Sequence, residues 1–258
     1  MRPALHAEWT KLRTLPGTGW LLLGVVAATV IISATVSASL SCSSTAACHV
    51  DITKLSLTGT YLGQAVVAVV AVLAVGGEYG TGMIRTTLAA MPRRTTVLAA
   101  KAAVVTAVTL AAGTPAVLGS VLAGRLILPG HGYTPANGYP VLSLADGTVL
   151  RAAGGTVLYL ALIALLSLGV ATAVRDAAVA IGAVLGLLYL FPILAQVASA
   201  GAARHLQQIG PMSAGLEIQA STGLRGLPIG PWAGLGVLAA WAAAALLAGM
   251  LVLRLRDA

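Results

Sequence analysis

The side chains able to do chemistry are few and scattered. The chain has 258 residues, among them 15 Lys and Arg, 7 Asp and Glu, 4 His and 2 Cys. A loop that cradles nucleotide phosphates needs Gly-x-x-x-x-Gly-Lys-Ser/Thr, whose backbone N–H groups and lysine hold the phosphate oxygens. Lys11, Lys54 and Lys101 follow Thr10, Thr53 and Ala100, so no such loop is present. No His-Glu-x-x-His zinc motif occurs either. His6, His49, His131 and His205 fall outside the apolar runs described below, and those runs supply neither His nor Asp to activate a hydroxyl at membrane depth. Ser120 and Ser167 are isolated small polar residues, suited to packing or to bonding with their own backbone. Cys42 and Cys48 share one Ser-rich connection. An oxidising compartment would close them into a small disulfide loop, and two free thiols are the alternative. A metal site is disfavoured there, since only His49 is adjacent and no acidic cluster completes four ligands. The chain is expected to be no enzyme and to carry no cofactor or metal of its own.

Such groups must be positioned by a very apolar chain. Hydrophobic residues make up 58% of it and charged residues 9%, whereas a soluble domain carries roughly a quarter charged residues. A soluble globular enzyme is excluded, and so is a disordered chain, which would be poor in apolar residues. Six apolar runs stand out, at about 19–40, 58–76, 102–124, 152–173, 177–198 and 231–253. Each reaches the roughly 20 residues needed to cross a bilayer core as a helix. They are continuous rather than alternating, which argues against a β-barrel. The expected fold is all-α: one transmembrane domain over 1–258 with six membrane-spanning helices and no room for a separate soluble domain.

The runs contain essentially no Asp, Glu, Lys, Arg or His. Ion-coupled carriers place such groups near the midplane, so energy for uphill transport is expected from another chain. Close helix approach is allowed by Gly59/Gly63, Gly182/Gly186 and Gly230/Gly234, and Pro115 and Pro192 should interrupt backbone bonding inside their spans.

The formal net charge of +8 would also suit nucleic acid, but its distribution fits membrane orientation and no nucleic-acid partner is expected. With the N-terminus inside, the cytoplasmic segments hold ten cations: Arg2, Lys11, Arg13, Arg85, Arg93, Arg94, Lys101, Arg175, Arg254 and Arg256. The outer segments hold five: Lys54, Arg125, Arg151, Arg204 and Arg225. The positive-inside rule then places both termini in the cytoplasm of a multi-pass inner (plasma) membrane protein. Ahead of the first span, Leu5, Trp9 and Leu12 share one helical face, with Lys11 and Arg13 free to reach lipid phosphates, as in an interfacial helix. A cleavable signal ending near Val36-Ser37-Ala38 is the rival reading, but the apolar stretch is longer than the roughly 7–15 residues of a signal. Between spans five and six, Pro211 can open a helix whose composition continues from Met212 to Ser221.

The connection after span two reads Glu78-Tyr79-Gly80-Thr81-Gly82-Met83-Ile84-Arg85-Thr86-Thr87-Leu88 and continues to Met91-Pro92-Arg93-Arg94. Ile84, Leu88 and Met91 recur at helical spacing, so an amphipathic helix along the membrane surface is expected, ended by Pro92. Arg94 should be a solvated rim charge near the lipid headgroups. The stretch resembles the Glu-Tyr-x-x-Gly-x-Ile-Arg-Thr-Thr-Leu segment of ABC-2 type permeases, the membrane subunits of ABC transporters, notably actinobacterial ones. The opening Glu8-Trp9-Thr10-Lys11-Leu12-Arg13-Thr14 is similar to that family's N-terminal amphipathic helix, and the short turn Val174-Arg175-Asp176 fits as well.

The resemblance implies a permease subunit, an exporter, whose cytoplasmic coupling helix touches a separate cytosolic ABC ATPase. Glu78, Tyr79, Ile84, Arg85, Leu88, Met91, Arg93, Arg94, Arg175 and Asp176 would form the ATPase-coupling region. A second permease copy or a paralogue would complete the cargo path, in contact with membrane lipid. The resemblance says nothing of cargo. A stand-alone secondary carrier and a non-transport scaffold or sensor subunit are the alternatives.

Overall fold

A computed structural model describes residues 10, 16–42, 50–83 and 94–256. Among the described residues all regular structure is helical. In chain order the helices are α1 (Pro16–Ser39), α2 (Ile52–Ser56), α3 (Thr60–Gly80), α4 (Arg94–Ile127), α5 (Gly147–Val174), α6 (Ala177–Val197), α7 (Ala200–Ile209), α8 (Pro211–Leu216) and α9 (Pro231–Arg256). Six of them, α1, α3, α4, α5, α6 and α9, are long and apolar enough to cross a membrane. The chain is an all-α multi-pass membrane protein. The interfacial-helix residues Leu5, Trp9, Lys11, Leu12 and Arg13, and Ile84, Arg85, Leu88, Met91 and Arg93 of the expected coupling helix, lie outside the described residues.

α5 is the hub. It is buried along most of its length and packs against α3, α4, α6 and α9, while α1, α6 and α9 leave most of their surface uncovered. In water such surfaces would drive aggregation; against lipid tails they cost nothing, and helix pairing must come from close packing and polar contacts instead. The α1–α3 crossing shows how. The buried face of α1 is not its most apolar one: Val25, Thr29, Ser33 and Ser37 follow one another at four-residue intervals and are buried, while Trp20, Leu23 and Ile31 point outward. Gly59 and Gly63 lie against Thr29, where a Cβ at either position would collide with it. The Gly59 N–H donates to Ser33 Oγ at 3.0 Å. Gly182 and Gly186, by contrast, face open space.

Acidic caps set several helix starts. Asp51 caps α2, Asp146 caps α5 and Asp176 caps α6, each accepting backbone N–H bonds of the first turn, where the helix dipole favours negative charge. Asp176 follows Arg175, whose φ of 67° turns α5 into α6. The expected short fourth-to-fifth connection is therefore two residues with defined roles.

Two sequence boundaries change. The third span was expected from residue 102, but α4 begins at Arg94. Thr95, Thr96 and Lys101 interrupt hydropathy without interrupting helix formation. Between spans five and six, α8 begins at Pro211 as expected but stops at Leu216, continuing as a 3-10 turn over Glu217–Gln219. α7 precedes it and has no counterpart among the sequence expectations, because its sequence AGAARHLQQI lacks an apolar run. The α8 turn is a buried wedge: Met212, Ala214, Leu216, Ile218 and Gln219 are all inaccessible, packed among α5, α6 and α9.

Candidate functional site

The polar residues that matter collect at the two ends of the bundle. At one end, the last turn of α3 presents Glu78 and the third turn of α4 presents Lys101. Glu78 Oε1 and Lys101 Nζ are 2.7 Å apart, with side chains only 8% and 3% exposed. The same ammonium lies 3.5 Å from the Ala74 carbonyl. An ion pair this buried holds only because the partners meet closely, and removing either takes from the other its 2.7 Å counter-charge. The expectation that the spans are empty of ionisable groups is thus corrected: both residues belong to spanning helices.

Three more expected residues surround this pair. Tyr79 lies under the Arg175 guanidinium, 5.8 Å from carbon to ring centroid, a cation–π contact. Arg175 Nη2 also donates to the Val252 carbonyl at 3.0 Å. Arg94, the first residue of α4, donates to the Leu253 carbonyl. Val252 and Leu253 belong to the last turns of α9, where the helix dipole favours cations. Arg94 is therefore a tie between α4 and α9, not the solvated rim charge expected. Asp176 takes no part in this ring; its carboxylate accepts from the Val179 N–H at 2.8 Å. Together α3, α4, the α5–α6 turn and α9 are bound at one level, on both sides of residues 84–93.

Sequence reasoning missed Lys101 as a member of this group and treated it only as an orientation charge. A signal did exist. A lone lysine within an apolar helix requires a partner, and Glu78 is the acid at that end of the preceding span.

At the opposite end Asp51 does two things at once. It caps α2 through the N–H groups of Thr53 (3.0 Å) and Lys54 (3.2 Å). It also receives the Ser221 N–H at 2.5 Å, the Ser221 hydroxyl at 2.6 Å and the Thr222 N–H at 2.9 Å. Partial burial pushes the Asp51 carboxyl up, but these hydrogen bonds outweigh it and hold the group below the ordinary value of 3.8. Lys54 pairs with Glu217 at 2.7 Å, and Arg151 donates to the Ala220 carbonyl. Residues 217–222 are thereby fastened over the bundle. Beneath them the buried Tyr159 hydroxyl donates to Gln64 Oε1, and Gln64 Nε2 donates to Met212 Sδ at 3.1 Å. A cleft of about 650 Å³ opens beside this latch, lined by Tyr139, Asp146, Thr148, Ser221 and Thr222 among others. Cys42 is disulfide-bonded and its N–H donates to the His131 carbonyl at 2.9 Å; Cys48 lies outside the described residues.

The Glu78 end ties spanning helices to one another, and the Asp51 end holds residues 217–222 against the bundle. No family model matches the chain, and no curated protein matches it.

Proposed function

We propose that the chain is the permease subunit of an ATP-driven ABC transporter, an exporter that couples ATP hydrolysis by a separate cytosolic ATPase to cargo movement. The observation that carries this reading is the ring at the Glu78 end. Glu78 and Tyr79 open the stretch that resembles the ABC-2 coupling segment, and both are built into ties that join four parts of the bundle. A push on residues 84–93 would therefore move α3 and α4 together and draw α9 along, rather than merely bend a loop. The lack of a phosphate-binding loop in the sequence assigns hydrolysis to the partner. The uncovered faces of α1, α6 and α9 leave room for lipid and for a second permease copy or paralogue. Both termini lie in the cytoplasm in this reading, with the Glu78 end inside and the Asp51 end outside.

The test is co-purification of the permease with the candidate ATPase from detergent. Leu88→Asp places a charge on the apolar stripe that the spacing of Ile84, Leu88 and Met91 predicts, and desolvating an unpaired charge in an interface costs several kcal/mol. ATPase recovery should fall at least tenfold while membrane insertion stays at wild-type level. Full recovery together with full cargo-stimulated hydrolysis would sink the proposal.

One observation favours a second reading. The buried Glu78–Lys101 pair supplies the kind of ionisable group that a proton-coupled carrier uses. That reading requires uptake into vesicles driven by a pH gradient with no ATPase present.

A further inference from the structure

α7 leaves the end of α6 and descends along the outside of the bundle. Its last residue, Ile209, accepts a 2.9 Å hydrogen bond from the Trp241 indole through its carbonyl. Trp241 is ten residues beyond the start of α9 at Pro231, about 15 Å along the helix at 1.5 Å per residue. The C-terminus of α7 therefore lies inside the apolar zone. Gln208 Nε2 donates to the Pro228 carbonyl at 2.8 Å, drawing in the segment that carries Arg225. Phe191 of α6 meets Trp241 edge to face at 6.3 Å. Between α7 and α9 lies an open groove of about 460 Å³, lined by Gln208, Ile209, Val237, Ala240, Trp241 and Ala244.

Charge lies directly above that groove. Arg204 and His205 stand one helical turn before Gln208 and Ile209, on the same faces of α7, about 6 Å nearer the end of the bundle. Both are exposed, as is Arg225. Among the described residues none of the three has an ion pair or hydrogen-bond partner. The one acid of residues 199–230, Glu217, is taken by Lys54. Elsewhere at this end Lys54 and Arg151 are likewise engaged. The segment thus presents unneutralised cations at headgroup height over an apolar groove.

We propose that this groove is a binding site for an anionic phospholipid of the leaflet at the Asp51 end. An acyl chain lies along Val237, Ala240, Trp241 and Ala244, and the phosphate meets Arg204 and Arg225, with His205 beside them. The site stands on the α7–α9 geometry and does not depend on ATP-driven transport.

Trp241 is the reporter. In the full-length chain, Trp9→Phe, Trp20→Phe and Trp232→Phe leave it as the sole tryptophan. The protein is reconstituted in phosphatidylcholine vesicles containing increasing fractions of lipid with brominated acyl chains, either phosphatidylglycerol or phosphatidylcholine. Brominated phosphatidylglycerol should quench Trp241 at a mole fraction at least about fivefold lower than brominated phosphatidylcholine, since one cation near a phosphate is worth roughly that factor. Arg204→Gln with Arg225→Gln should bring the two curves together, and added salt should narrow their separation with both arginines intact. Coincident curves in the unsubstituted protein would mean that Trp241 sees only bulk lipid and would overturn the proposal. So would a preference that survives loss of both arginines or is insensitive to salt. Absence of quenching by either lipid would show the groove covered by protein, such as a second copy, and would overturn it equally.

Discussion

The two ends of the bundle solve the same problem with opposite chemistry. At the Glu78 end cations reach out to carbonyls: Arg94 and Arg175 bond the last turns of α9, and Lys101 crosses from α4 to Glu78. At the Asp51 end a carboxylate collects N–H groups, two from the start of α2 and two from Ser221 and Thr222. The first arrangement ties spanning helices to one another. The second ties residues 217–222 to the bundle, through Asp51 and through Arg151 of α5. A ring of inter-span ties suits the transfer of movement along the membrane normal. A latch on a short segment suits a cover that opens by itself.

Breaking the first end should cost most. Lys101→Met takes the 2.7 Å ammonium partner away from the buried Glu78 carboxylate, and breaking a buried pair in this way costs about 3–5 kcal/mol. The variant should show a large fall in thermal stability in detergent. Adding Glu78→Gln to Lys101→Met should recover much of that loss, because the buried carboxylate charge is removed with its counter-charge. A double variant no more stable than Lys101→Met would mean that the pair is not coupled as described.

The latch should be weaker. Asp51→Ala removes an N-cap and the bonds to Ser221 and Thr222, together about 2 kcal/mol. The loss should appear as protease cleavage within 217–226 while the spans stay intact. Acidity should mimic it. The folded Asp51 carboxyl lies below its ordinary 3.8, so the unfolded state binds the proton first, and the contribution is present above pH 3.8 and lost as pH falls below that value. Protease resistance of the segment should therefore drop on acidification below 3.8 in the wild type, and Asp51→Asn should lack that step. The same acid step in Asp51→Asn would assign it to another group.

What the sequence made legible follows from where each signal resides. Spanning helices are written in contiguous hydropathy, so all six were found. The third run was placed only from residue 102, because Lys101 looks like an end of hydrophobicity until its partner on another helix is known. The inward face of α1 is marked by Thr29, Ser33 and Ser37 rather than by its largest apolar residues, a reversal that hydropathy alone cannot read. Tyr79, Arg94 and Arg175 were legible as a group through the family resemblance, but the targets of the two arginines are backbone carbonyls of α9, which leave no trace in residue type. Asp51 and Ser221 are 170 positions apart, and nothing local announces that they meet.

The finest difference between the ends concerns left-handed backbone. At the Asp51 end the positive-φ positions are Gly132, Gly138 and Gly223, which adopt them without a Cβ clash. At the Glu78 end Gly82 does the same, but Arg175 holds φ of 67° with a full side chain, alone among non-glycine described residues. An L residue there costs about 1 kcal/mol. The guanidinium offsets that cost by reaching Val252 and Tyr79 at once. Arg175→Ala removes both contacts and keeps the strain. Arg175→Gly removes both contacts and relieves it, with some of the gain returned through the greater freedom of glycine in the unfolded chain. Arg175→Gly should therefore be the more stable of the two by up to about 1 kcal/mol, and both should lie below wild type. Chemical denaturation of the three proteins in one detergent measures the ordering. If Arg175→Gly equals or exceeds wild type, the side-chain ties to α9 and Tyr79 contribute nothing net. The Glu78 end would then rest on the Glu78–Lys101 pair and Arg94, and α9 would be only half tied to the ring.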